Sequence, residues 1–186
     1  MMLIETKMHQ IIQIKKNKKY KIHHNSNGDK MEKENETKNQ SETQNSENIN
    51  ALDEICKGAC MGMDAIHFIL DKVDNNDLRE YLHKDYEKYE KIKEEIEEIY
   101  PDYNDGKPHE TSALNKARTW YGIEMKTLTD DTTSKLAELL LQGINMGIIE
   151  GRRILNKKEI DSSVNEIVSE YVSMQEMSME VLTKYL

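Results

Sequence analysis

The sequence predicts an all-α protein: an antiparallel four-helix bundle with a long crossover containing a short helix. After Asn50, apolar residues recur at spacings of three and four, the period of one helix face, and no alternating run suggests a strand. The two prolines, Pro101 and Pro108, fall close together and interrupt that pattern once, near its middle. The stretch before Asn50 has too few apolar side chains to add a layer to a core.

Residues 1–49 read as a disordered polar tail and residues 50–186 as the bundle. Lys15 to Lys21 is nearly all Lys and Asn, and Asn25 to Asn50 is almost entirely Asn, Ser, Glu, Gln, Thr and Lys. Such a stretch cannot bury enough surface to offset its chain entropy. The codons for Asn27-Gly28-Asp29-Lys30 can carry a purine-rich ribosome-binding sequence just before that of Met31. Synthesis is therefore expected to start at Met31, with 1–30 an over-extended start. The Lys, Asn and Ile bias fits an AT-rich bacterial genome. Removing the chain through Asn48 is expected to leave the stability of the bundle unchanged.

The first helix is expected over about Ala51 to Val73, burying Ile55, Ala59, Gly62, Ile66, Leu70 and Val73. Asp74-Asn75-Asn76-Asp77 has capping chemistry and is short enough only for a helical hairpin. The second helix, about Asp77 to Tyr100, has the cleanest seam: Leu78, Leu82, Asp85, Tyr89, Ile92, Ile96 and Ile99. Pro101 ends it, and a loop leads to a shorter helix at about Ser112 to Leu128, with Leu114, Ala117, Trp120, Tyr121 and Met125 as its apolar side. A third long helix is expected from about Thr132 to Leu155, burying Leu136, Leu139, Gly143, Met146, Glu150 and Ile154. The fourth, about Asp161 to Tyr185, carries Val164, Ile167, Tyr171, Met174, Ser178, Val181 and Tyr185. Two hairpins joined by about thirty residues have the connectivity of ferritin-like bundles.

Composition narrows the function. The net charge of -9 argues against nucleic acid or an anionic membrane as partner, since each polyanion needs a basic patch. The charged fraction of 33% and mean hydropathy of -0.83 fit heavily charged outer helix faces plus an unfolded segment. No apolar run approaches the roughly 20 residues of a membrane span, and Met1 to Ile14 makes a poor signal peptide. Cys56 and Cys60, four apart on a helix, would form a strained disulfide, which fits a reducing cytoplasm.

Several side chains could carry chemistry. Cys56, Cys60, Asp64 and His67 form a stripe along the first helix, and two thiolates four apart can share Zn(II) or Cu(I). Free cysteines in helices are usually just small buried residues. Glu80-x-x-His83 has metal-ligand spacing, but the seam turns Glu80 outward. Asp85 occupies a seam position, either reaching solvent beside a cation or buried as the mark of a site. Gly58 and Gly62, and Gly143, Gly147 and Gly151, recur every four residues at a helix cost of about 1 kcal/mol each. They imply either tight packing around tyrosines or a groove for an apolar ligand or a second subunit, flanked by adaptable methionines.

Met61-Gly62-Met63-Asp64-Ala65-Ile66, Asp77-Leu78-Arg79, Met125-Lys126-Thr127-Leu128-Thr129-Asp130, and the run from Leu136-Ala137-Glu138 through Gln142-Gly143 to Met146-Gly147-Ile148 together resemble the ferritin and rubrerythrin superfamily, in particular small bacterial ferritin-like proteins. The resemblance implies a di-metal site built from one Glu on each of two helices and a Glu-x-x-His on each of the others. The corresponding positions here are Tyr89 and Ile92, Gln175 and Ser178, and Gly143 or Ile144, so two irons are not expected. The expectation is a non-enzymatic cytoplasmic interaction or structural module with no cofactor, paired with itself or with a helical protein partner. The alternative is a metal-binding protein holding Zn, Cu or Fe at Cys56 and Cys60 or at carboxylates such as Glu138, Glu150 and Glu176. A di-iron oxidoreductase is the third reading.

Overall fold

In the computed structural model, periodic apolar stretches become four long helices. The structure describes residues 41–109, 122–123, 127, 130–156 and 159–186. Among these residues there is no strand. Helix α1 covers residues 41–70, α2 Asn76–Ile99, α3 Thr133–Leu155 and α4 Ser162–Leu182. Single 3-10 turns, Tyr100–Asp102 and Thr183–Tyr185, extend α2 and α4. Most of the helix expected at 112–128 lies outside the described residues. Gly122, Ile123 and Thr127 of that stretch are helical, with Ile123 buried in the core.

Local chemistry sets the ends. The Asn75 side chain accepts from the Leu78 N–H at 2.9 Å and starts α2, and Pro101 converts the end of that helix to a 3-10 turn. The Thr132 hydroxyl accepts from the Lys135 N–H at 3.3 Å and starts α3. Of the seven seam positions expected on α2, six are buried and Ile99 is half-buried.

The directions of the helices follow from which residues meet. Asp85, Tyr89 and Lys91 of α2 meet Ser178, Gln175 and Glu170 of α4 at 2.7, 3.2 and 2.8 Å, so these helices are antiparallel. Asn48 meets Asp161, and the place where Gly58 would carry a side chain meets Tyr171, so α1 runs parallel to α4. Ser134 meets Leu186 while Gly147 lies against Tyr171 and Gln175, so α3 is antiparallel to α4. Hence α2 and α3 point the same way. The connection between them must travel back along the 24 residues of α2, about 36 Å at 1.5 Å per residue.

Two expectations are corrected. The tail does not run to residue 49. The chain divides into units at 1–43 and 44–186, and α1 already covers 41–50. Asn48 is only 2% exposed, and its Oδ1 accepts from the Asp161 N–H at 2.8 Å, at the start of α4. Gln44 Nε2 donates to Asp161 Oδ1 at 2.7 Å, and Asn45 Nδ2 to the Tyr103 carbonyl at 3.2 Å. Polar composition misled here because these amides bond to helix ends and loop backbone rather than packing apolar surface. Asn48→Ala leaves a half-buried N–H without its partner and is expected to lower stability by about 1 to 2 kcal/mol in urea denaturation. Deletion through Asn48 should cost at least as much. An unchanged midpoint for both would restore the tail to residue 49.

The second correction is the face of α3. Its buried residues are Leu136, Ala137, Leu140, Ile144, Gly151 and Ile154, whereas Gly143 is exposed and Met146 is 68% exposed. The expected row through Leu139, Gly143, Met146 and Glu150 borders an open cavity instead.

Candidate functional site

Tyrosine and glycine shape the centre of the bundle together. A Cβ placed on Gly58 would lie 2.6 Å from the Tyr171 hydroxyl, one on Gly147 2.7 Å from the same oxygen, and one on Gly62 2.5 to 2.9 Å from three atoms of the Tyr89 ring. The two rings meet at 6.5 Å between centroids, tilted by 59°. Tyr171 therefore projects from α4 between α1 and α3, and the glycines accommodate rings rather than another helix backbone. The reading of tight packing around tyrosines holds at Gly58, Gly62 and Gly147. At Gly151 a Cβ would strike Val172, and at Gly143 it would meet nothing within 4 Å among the described residues.

Beyond the rings lies a cavity of about 500 Å³. Gly58, Met61, Gly62 and Ala65 line it from α1, and Leu139, Gly143, Met146 and Gly147 from α3. Its other walls include Asp85, Tyr89, Tyr171 and Gln175, with Gly122 and Ile123 contributing from the crossover. This volume and a largely apolar lining with few polar groups are typical of small-molecule sites.

The polar floor is an ordered network. Tyr89 donates to Gln175 Oε1 at 3.2 Å. Asp85 Oδ1 accepts from Ser178 Oγ at 2.7 Å, from Lys88 Nζ at 3.2 Å and from the Tyr81 hydroxyl at 3.3 Å. Burial pushes the Tyr171 and Tyr81 phenols up to about 12, and burial, helped by Tyr171 and Asp85, holds Tyr89 well above its usual 10. All three are neutral donors at physiological pH. Asp85 is thus buried and also paired, combining elements of both readings made of it from the sequence.

Cys56 and Cys60 are both buried on α1 and form no disulfide, Asp64 is half-buried, and His67 is exposed. Among the described residues no three His, Cys, Asp or Glu side chains come together as a metal site. Glu80 and His83 are exposed, and Glu80 pairs with Lys84 at 2.6 Å. Glu138 pairs with Lys135 at 2.7 Å, Glu176 with Arg152 at 2.6 Å and Glu150 with Arg153. The positions that the ferritin resemblance assigns to metal ligands on α2 and α4, namely Tyr89, Ile92, Gln175 and Ser178, are all buried and carry no carboxylate or imidazole.

A second cluster joins the loop after α2 to α1. Asp53 Oδ1 accepts from the Tyr100 hydroxyl at 2.9 Å and from the His109 N–H at 2.8 Å, while Oδ2 meets His109 Nδ1 at 2.5 Å. It anchors the beginning of the crossover. No helix among the described residues is long and apolar enough to cross a membrane. Comparison with protein-family models, with curated proteins and with solved structures gives no match for this chain.

Proposed function

We propose that this chain is a non-enzymatic binding module of the cytoplasm, built on a ferritin-like bundle whose di-metal centre has been replaced by a tyrosine, glutamine and serine network. Its cavity between α1 and α3 takes an apolar ligand. The helix directions support the ferritin-like reading, because parallel α2 and α3 joined by one long crossover distinguish that bundle from the simple up-and-down form. The replacement of the centre is supported by Tyr89 and Tyr171, whose rings occupy the middle of the bundle.

The cavity itself carries the binding reading. Among the described residues the space over Gly143 is open, and the 68% exposed Met146 beside it gives a flexible apolar wall. A neutral solvatochromic dye such as Nile red should bind near one per chain with a blue shift. Gly143→Leu, which fills the space without touching the core, should abolish binding while leaving the thermal midpoint in place. Unchanged dye binding in Gly143→Leu, or none in the wild type, would refute the ligand reading. Metal analysis of protein purified without a histidine tag tests the other half. Near-stoichiometric iron would overturn the loss of the centre, and zinc or copper lost in Cys56→Ser would favour a thiolate site.

A further inference from the structure

The cavity wall carries one charge that solvent cannot relieve. Its charged members among the described residues are Glu54, Lys57, Asp85 and Glu150, and Lys57 is paired with Glu54 at 3.8 Å. Asp85 is paired with Lys88 at 3.2 Å, and Glu150 with Arg153. Glu54, Lys57 and Glu150 can relax into solvent. Asp85 cannot, being 1% exposed.

Asp85 is also half committed. Its hydrogen bonds from Ser178, Lys88 and Tyr81 all converge on Oδ1, and Oδ2 receives none among the described residues. At the cavity wall that oxygen is open to a donor, and a charged donor serves it best. The tyrosines reinforce the choice. Their neutral rings line the same cavity, and an aromatic face attracts a cation where it offers nothing to an anion.

We propose that the cavity between α1 and α3 binds a cationic amphiphile: a primary ammonium on an apolar body, the ammonium hydrogen-bonded to Asp85 and the body lying along Gly143 and the methionines. This rests on the ligand reading of the cavity and names the chemistry that the ligand carries. A fatty acid of the same length is rejected, because its carboxylate would face that of Asp85.

Calorimetric titration of the full chain with four probes of equal length tests it: octylammonium, octyltrimethylammonium, octanol and octanoate. Octylammonium should bind at least ten-fold tighter than octanol, the quaternary ion should lose most of that margin for want of an N–H, and octanoate should not bind. Asp85→Asn keeps an acceptor for Ser178 and should reduce octylammonium to the affinity of octanol, while Gly143→Leu should abolish both. Octanol or octanoate equalling the amine, or an amine preference that survives Asp85→Asn, would overturn the proposal while leaving an apolar site in place. The four wild-type titrations decide the head-group preference even where Asp85→Asn fails to fold. Failure of the amine together with the neutral dye would instead remove the site itself.

Discussion

Gly62→Ala is expected to lower stability by about 3 kcal/mol, the upper end of the usual overpacking range. The new carbon would sit 2.5 to 2.9 Å from three atoms of the Tyr89 ring, a rigid group buried in the core and bonded to Gln175. No rotation of that ring alone clears the contact. Gly147→Ala meets only the tip of Tyr171 and the Gln175 amide, so its net loss should be smaller, about 1 kcal/mol after the gain in helix propensity. Tyr171→Phe in that background removes the clashing oxygen and should restore part of the loss. Gly143→Ala meets nothing and should gain up to about 1 kcal/mol. Urea midpoints of the three variants give the order directly. Equal effects at Gly62 and Gly143 would show that the tyrosines are not what the glycines accommodate.

Asp85→Ala should cost about 2 to 3 kcal/mol, the range for leaving a buried hydrogen-bonding group without its partner. The residue most affected is Ser178, fully buried and 2.7 Å from the carboxylate. Lys88 is half exposed and regains water. The double variant Asp85→Ala with Ser178→Ala should therefore recover about 1 kcal/mol of the single loss, since removing both partners is cheaper than removing one. A single loss close to zero would mean that water in the cavity substitutes for the carboxylate.

Both predictions concern positions that the sequence singled out for reasons only partly right. Asp85 stood out as a charge at a seam position, and the structure buries it there. The four-residue glycine spacing suggested either close packing or a groove, and both occur: rings against Gly58, Gly62 and Gly147, open space at Gly143. Gln175 and Ser178 were legible as neutral residues at expected metal positions. Their bonds to Tyr89 and Asp85 were not, because a contact 86 or 93 residues apart depends on helix register.

Local signals were enough for α2, where a seven-position seam, an asparagine cap and a proline stop all describe interactions within a few residues of each other. The same holds for the existence of the other three long helices and for the single break between two hairpins. Where α1 begins and which way α3 faces depended on distant partners. Asn48 belongs to the fold because the start of α4 supplies an N–H to its amide, and no composition rule can see a partner 113 residues away. On α3, the row through Gly143 and Met146 has the period of a buried face, and periodicity cannot tell a face covered by another helix from one that lines an empty space. Tyr171, projecting between α1 and α3, and Tyr89, lying against Gly62, separate those outcomes, which is why the cavity came into view only with the packed bundle.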